Sequence, residues 1–165
     1  MINIFYFILF IILFYLMNEN IIFESLSNHP EFIDQLREIY WSEWSESLKK
    51  EFNIENFSEY QITSNITLYV GIEYLSENKK KLVGSIGLID CDMQELKHFT
   101  PWMCNVYILP EYRNKRIAHK MINWFLNKEQ HRPIYLWCNR PLENFYKKNN
   151  FEIIENREDI VVMRN

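Results

Sequence analysis

Val106 to Lys120 reads VYILPEYRNKRIAHK, and the order of its residue types decides the fold. Apolar, β-branched and aromatic residues run from Trp102 to Leu109 and read as a strand. Pro110 stops it, because proline cannot donate to a sheet ladder. A short charged loop follows. Ile117, Met121, Trp124 and Phe125 then recur at i, i+4, i+7 and i+8, one face of an amphipathic helix. A loop between a strand end and a helix start leaves several backbone N–H groups unpaired and converging, and the helix dipole adds partial positive charge there. Such a junction favours a phosphate. Arg113, Lys115 and Arg116 strengthen it, and Asn114 tolerates the left-handed conformation that a tight turn needs. The competing reading is the basic start of a surface helix on some other α/β protein.

Upstream, Ile21 to Leu26 reads as a strand, and Pro30 suits the first position of a helix whose buried stripe is Phe32, Ile33, Leu36, Ile39 and Tyr40. A second short helix is expected from Ser45 to Phe52, with Trp41 and Trp44 near the junction. Asn53 to Ser64 is polar and reads as a loop. Ile66 to Tyr74 and Leu82 to Ile89 read as an antiparallel hairpin around an exposed turn, Ser76 to Lys80. Gly84 and Gly87 in its second arm predict a bulge or a close backbone approach.

Downstream, Pro133 opens a short buried strand, Ile134 to Cys138, followed by NRPLENFYKKNNFEII from Asn139 to Ile154. Pro141 suits the first turn of a helix with Leu142, Phe145 and Tyr146 on one face, and Asn149 or Asn150 takes the left-handed cap usually given to glycine. Phe151 to Ile154 and Ile160 to Met163 close the sheet as a hairpin.

Two of these segments carry a resemblance. Ile108, Pro110, Arg113 and Ala118 match motif A of the GCN5-related N-acetyltransferases (GNAT), with Arg116 where that motif has its first glycine. Phe145, Tyr146, Lys148, Asn150 and Phe151 match its motif B, with Asn150 in place of glycine. The chain thus resembles this family over about Ile21 to Met163, in the right motif order. The resemblance implies a single α/β (α+β) domain with a mixed, mostly antiparallel central sheet flanked by helices. It implies acetyl-coenzyme A as acetyl donor, its pyrophosphate held by the loop amides of Arg113, Asn114, Lys115, Arg116, Ile117 and Ala118. The strand edge at Ile108 would pair with the pantetheine arm, Asn139 would bond a pantetheine amide, and Tyr146 would protonate the leaving thiolate. The activity implied is direct acetyl transfer to a primary amine of a small molecule or peptide. A catalytically lapsed acetyl-coenzyme A-binding module of the same fold is the alternative, motivated by the two missing glycines.

The residues themselves are compatible with that chemistry. A phenol with pKa ~10 keeps its proton at neutral pH, above a thiol at ~8.5. Asp90, Asp92, Glu73 and Glu43 are the candidates for a base. The chain of 165 residues suits one domain, and 48% hydrophobic with 24% charged residues is an ordinary globular balance. The formal charge of −4 gives no general nucleic-acid role. Glu111 to Lys120 carries one acid and four bases, net +3, leaving −7 on the rest. A basic spot on an acidic protein suits a polyanionic coenzyme beside a cationic acceptor.

Cys91, Cys104 and Cys138 are odd in number, without metal-ligand or CxxC spacing, and the histidines are equally scattered. Reduced thiols, a cytoplasmic setting and no metal are expected, with Cys104 and Cys138 as packing residues. Residues 1–17 form a separate apolar segment ahead of a domain at 18–165. Ile4 to Met17 is an unbroken apolar run of 14 residues with no Lys or Arg before Arg37. A membrane span needs ~20 residues, and the run lacks the basic start and cleavage site of a signal peptide. A short membrane anchor, an apolar interaction segment, or translation ahead of a start at Met17 remain open.

Overall fold

The computed structural model describes residues 20–52, 56–57, 62 and 65–165. The apolar run before Met17 and most of the expected loop at 53–64 lie outside the described residues.

In chain order the elements are β1 (Ile21–Ser25), two 3-10 turns at Leu26–Asn28 and Pro30–Phe32, and α1 (Ile33–Phe52). Then come β2 (Thr67–Ser76), β3 (Lys79–Ile89), β4 (Trp102–Ile108), α2 (Ile117–Lys128), β5 (Tyr135–Asn139), α3 (Glu143–Lys147), β6 (Glu152–Asn156) and β7 (Ile160–Arg164). The seven strands form one sheet in the order β1-β2-β3-β4-β5-β7-β6. Only β4 and β5 are parallel neighbours, joined across α2; the other pairs are antiparallel. The mixed, mostly antiparallel sheet is therefore as expected. No helix among the described residues is long and apolar enough to cross a membrane.

Each sheet face has its own core. On one face Leu36 and Tyr40 of α1, with Phe32 just before it, pack on Leu68, Val70, Ile72 and Leu82. On the other, Ile117, Met121, Ile122, Phe125 and Leu126 of α2 pack on Val83, Ile86, Met103 and Leu136. Burying an aromatic as completely as Phe125 stabilises by about 1.5–3 kcal/mol. Trp124 lies at the edge of this stripe, against Phe23 and Tyr69.

Three sequence expectations are corrected. The two helices expected between Pro30 and Phe52 are one α-helix of 20 residues preceded by a 3-10 turn, so no helix junction lies at Trp41 and Trp44. Ile33 is exposed rather than part of the buried stripe. The β2–β3 turn is tighter than read: Ser76 already pairs with Lys79 and Tyr74 with Lys80. Those lysines are polar because the ladder is solvated there, not because the chain is turning. Gly84 is where the backbones approach: a Cβ there would sit 2.2 Å from the Tyr107 carbonyl oxygen.

Two irregularities in β4 position the site. Asn105 has φ 52, a left-handed conformation that asparagine tolerates better than most residues. The register moves from Ser85↔Tyr107 to Gly87↔Cys104, so Asn105 and Val106 together oppose Ile86 in a β-bulge. The extra residue resets the alternation of faces, so that Met103, Val106 and Ile108 all turn to the α2 side. Beyond the bulge β4 also parts from β5: the two strands pair only at Trp102↔Tyr135. Their C-terminal halves diverge and leave a slot in the sheet.

Candidate functional site

The slot opens toward the junction singled out above. After Ile108 the chain makes a 3-10 turn at Pro110–Tyr112, and Arg113 is extended. Asn114 (φ 62) and Arg116 (φ 59, ψ 15) are both left-handed, and α2 begins at Ile117. Arg116 thus adopts the conformation for which glycine is the default, at a cost of about 1–2 kcal/mol for a residue with a Cβ. The loop here carries two left-handed residues, Asn114 and Arg116, without a glycine.

Arg116 is the N-cap of α2 but its side chain makes no capping bond, and no acidic residue lies in the first turn. Its carbonyl accepts the first intrahelical bond from the Lys120 N–H. The amides of Ile117, Ala118 and His119 therefore precede the helical ladder, at the positive end of an uncompensated dipole. They face a cavity of about 260 Å³. Ile108, Arg113, Asn114, Arg116, Ile117 and Ala118, all expected there, line it.

Other expected residues sit elsewhere around it. Lys115 is outside the lining, its ammonium 5.3 Å from the centre of the Tyr112 ring. Arg113 uses its Nε on the Ile108 carbonyl at 2.9 Å, with the guanidinium 5.3 Å over the Tyr107 ring. It braces the turn against the strand end. Asn139 lies at the end of β5, exposed on the far side of the slot, where it also caps the 3-10 turn at Arg140–Leu142 with its backbone.

Sequence reading missed three lining residues: Tyr112, His119 and Phe145. His119 Nδ1 lies 2.9 Å from Asn149 Oδ1, and its ring sits 4.8 Å from Phe145. Tyr112 donates to Glu73 Oε2 at 2.5 Å, and burial, aided by that carboxylate, pushes its phenol up. No local sequence pattern marks these pairs, because the partners are 30 and 39 residues apart.

Tyr146 is outside the cavity lining, in the α2-side core, 7% exposed and edge-on to Phe145 and Phe151. Burial pushes its phenol well above the ordinary range, and the nearby Cys138 adds to this. Burial likewise lifts the Cys138 thiol to about 11. Tyr146 is thus held as a neutral phenol. Asn150, rather than Asn149, takes the left-handed cap after α3, at φ 65.

Across the sheet, on the α1 side, Tyr107 projects just past the bulge. Its hydroxyl donates to Glu43 Oε1 at 3.0 Å, and Trp44 lies edge-on at 6.2 Å. Burial and Glu43 raise its phenol pKa. Of the carboxylates considered as bases, Glu73 is occupied by Tyr112, Glu43 borders β4 through Tyr107, and Asp92 is near enough to Cys104 to help raise its thiol. Asp90 directly follows β3.

A family model described as "Acetyltransferase (GNAT) family" matches residues 33–151. The chain is similar in structure to an aminoglycoside 6'-N-acetyltransferase complexed with coenzyme A, with TM-score 0.61 and 16% identity over 87% of this chain and 96% of that one. It is similar to Arabidopsis thaliana NAA60 in complex with acetyl-CoA, with TM-score 0.59 and 14% identity over 88% and 97%. Escherichia coli ElaA gives TM-score 0.55 and 17% identity over 88% and 99%. At these identities the likeness is one of fold. No curated protein matches the sequence.

Proposed function

The chain belongs to the GNAT acetyltransferase family, and on that premise we propose that it moves an acetyl group from acetyl-coenzyme A directly to a primary amine. One observation carries the reading: the uncapped start of α2, facing a basic cavity, lies beside the slot between β4 and β5. Phosphate charge suits the first, and an extended amide-bearing arm suits the second.

The chemistry follows from where groups stand. The amine nitrogen forms its bond to the thioester carbon after giving a proton to solvent or a carboxylate. The C–S bond breaks with its electron pair on sulfur, and Tyr146, kept neutral by burial, hands sulfur a proton. The second proton shed by the nitrogen returns through solvent to the Tyr146 oxygen, leaving a neutral amide, a thiol and a neutral phenol. Acceptor preference is set on the α1 side. Glu43 with the rings of Trp44 and Tyr107 offers a carboxylate and π-faces, a combination that suits a cationic amine. The structural neighbours include an aminoglycoside 6'-N-acetyltransferase, which supports a small-molecule amine as acceptor, with a peptide amine kept beside it in the acceptor class. We place the domain at residues 18–165 in the cytoplasm, at a membrane only if residues 1–17 act as an anchor.

The test is calorimetry with acetyl-coenzyme A followed by thiol release over aminoglycosides, polyamines, amino sugars and peptide amines. Micromolar binding with release on at least one amine is expected. Binding without release on any amine gives the lapsed module instead, a reading that the Arg116 substitution motivates. Absence of binding at millimolar coenzyme overturns both.

A further inference from the structure

The β-bulge that shapes β4 is held from outside the strand. The Tyr40 hydroxyl of α1 donates to Ser85 Oγ at 2.8 Å, and Ser85 Oγ donates to the Asn105 carbonyl at 3.0 Å. Tyr40 and Ser85 are both 0% exposed, so neither bond is exchanged for water. Gly84, beside Ser85, brings β3 close to the Tyr107 carbonyl and keeps the chain of bonds short.

The direction of the second bond matters. Asn105–Val106 is not among the cis peptides, so in this planar unit the Val106 N–H points opposite to the Asn105 carbonyl. The carbonyl points to Ser85, on the α1 side with Tyr40. The N–H therefore aims away from Ser85, toward the side of β4 on which β5 lies, where the two strands pair only at Trp102↔Tyr135. A left-handed asparagine alone would leave this peptide free to rotate; the serine pins it.

We propose that Ser85, held by Tyr40, is a positioning residue for acetyl transfer: it fixes the Asn105–Val106 peptide so that the Val106 N–H meets the thioester carbonyl oxygen in the slot. This rests on the acetyltransferase reading above. When the amine adds to the carbonyl carbon, the C=O π pair moves onto oxygen, and an amide already aimed there stabilises that charge without reorganising. When the C–S bond breaks, the pair returns to re-form C=O and sulfur takes its proton from Tyr146. Ser85 touches no reacting atom.

The experiment uses the full chain with two variants, Ser85→Ala and Tyr40→Phe, and two readouts. In steady state with a productive amine, Ser85→Ala is expected to lower kcat about 10- to 100-fold, short of the loss for deleting an oxyanion donor outright, with acetyl-coenzyme A Kd and amine KM near wild type. Tyr40→Phe, which leaves Ser85 in place, is expected to lower kcat several-fold. In the second readout, isotope-edited infrared spectra of bound acetyl-coenzyme A labelled at the carbonyl carbon should show a red-shifted C=O band in wild type that returns toward the free thioester in Ser85→Ala. A folded Ser85→Ala protein with wild-type kcat and band overturns the proposal and leaves the function standing. If Ser85→Ala does not fold, an unchanged kcat and band in Tyr40→Phe overturns it. A wild type that binds coenzyme but never turns over defeats the enzyme reading, while the band still decides the positioning role. A wild type that does not bind defeats both.

Discussion

His119 and Asn149 join the start of α2 to the end of α3 through a 2.9 Å contact between Nδ1 and Oδ1. The Asn149 amide nitrogen donates to the Phe145 carbonyl at 2.8 Å, so its oxygen is the acceptor and the proton sits on Nδ1 of the histidine. With Asn149 only 2% exposed, the bond holds the two motif-bearing helices in register beneath the cavity. Asn149→Ala leaves a half-buried ring N–H and the Phe145 carbonyl without these partners and should cost about 1 kcal/mol. A double-mutant cycle with His119→Ala, read by urea denaturation, should give a coupling of about 0.5–1.5 kcal/mol. Additive effects would mean the contact is incidental.

At Arg116 strain and charge can be separated. Arg116→Gly removes the left-handed penalty of about 1–2 kcal/mol and adds about 0.5–1 kcal/mol of glycine chain entropy, so thermal stability should rise by up to about 1 kcal/mol. Arg116→Ala keeps the strain and gains nothing. For coenzyme binding both lose a guanidinium able to take a phosphate bidentately. Calorimetry at two salt concentrations should rank affinity as wild type, then Arg116→Gly, then Arg116→Ala, with salt weakening wild type most. Identical binding by all three would leave Arg116 as a solvated cap.

How far the sequence could be read depended on the range of each signal. The α2 stripe was legible because Ile117, Met121 and Phe125 repeat at helical spacing. Ile122 and Leu126 are also buried but lie on the flank of that stripe, where a single-face template misses them. The stretch around Trp41 and Trp44 reads as a junction between two helices, yet one helix runs through it, since nothing there breaks the backbone ladder. Gly84 and Gly87 point to a bulge or close approach, whereas Asn105, the left-handed residue within the bulge, goes unmarked inside a strand that reads as apolar. The pairing of β7 between β5 and β6, and the Tyr40–Ser85 bond across 45 residues, are set by tertiary packing and leave no local trace.

All strand pairings among the described residues lie within residues 21–164, and the residue just before β1 is tied in as well: the Tyr74 N–H donates to the Asn20 carbonyl at 3.2 Å. A chain starting at Met17 should therefore unfold cooperatively and bind acetyl-coenzyme A like the full chain. Loss of binding in detergent-free buffer on removing residues 1–16 would place the apolar run within the fold. Partition of the full chain into vesicles would favour the anchor.

Stability should fall at alkaline pH. Burial first, and neighbouring carboxylates second, push the Tyr69 and Tyr112 phenols up; burial also raises Tyr146 and the Cys104 and Cys138 thiols, Cys138 to about 11. These protons stay on the folded protein while the unfolded chain begins to release them near pH ~8.5 for thiols and ~10 for phenols. The unfolded state then binds fewer protons, so unfolding free energy declines as pH rises. Urea midpoints should be level from pH 7 to 8 and drop steadily from pH 9 to 11. A flat profile to pH 11 would show that these groups ionise freely in the folded state.

Tyr146 gives the most direct test of the chemistry. It is almost wholly buried, packed by Phe145 and Phe151, and its phenol pKa is raised, so it keeps its proton throughout the assay range. Tyr146→Phe removes one oxygen and preserves the ring that fills this part of the α2-side core. Folding and coenzyme binding should be nearly unchanged, whereas kcat should drop ~10²-fold or more, the scale of losing a positioned general acid. The raised pKa adds a second signature. Wild-type kcat should show no loss from phenol ionisation up to pH ~10, where an ordinary tyrosine would be half ionised. Leaving-group chemistry supplies the control: a thioester whose thiol is more acidic needs less help from an acid, so the mutant should recover part of its rate with an activated acyl donor. Equal kcat for mutant and wild type would make Tyr146 a packing residue and hand the proton transfer to solvent.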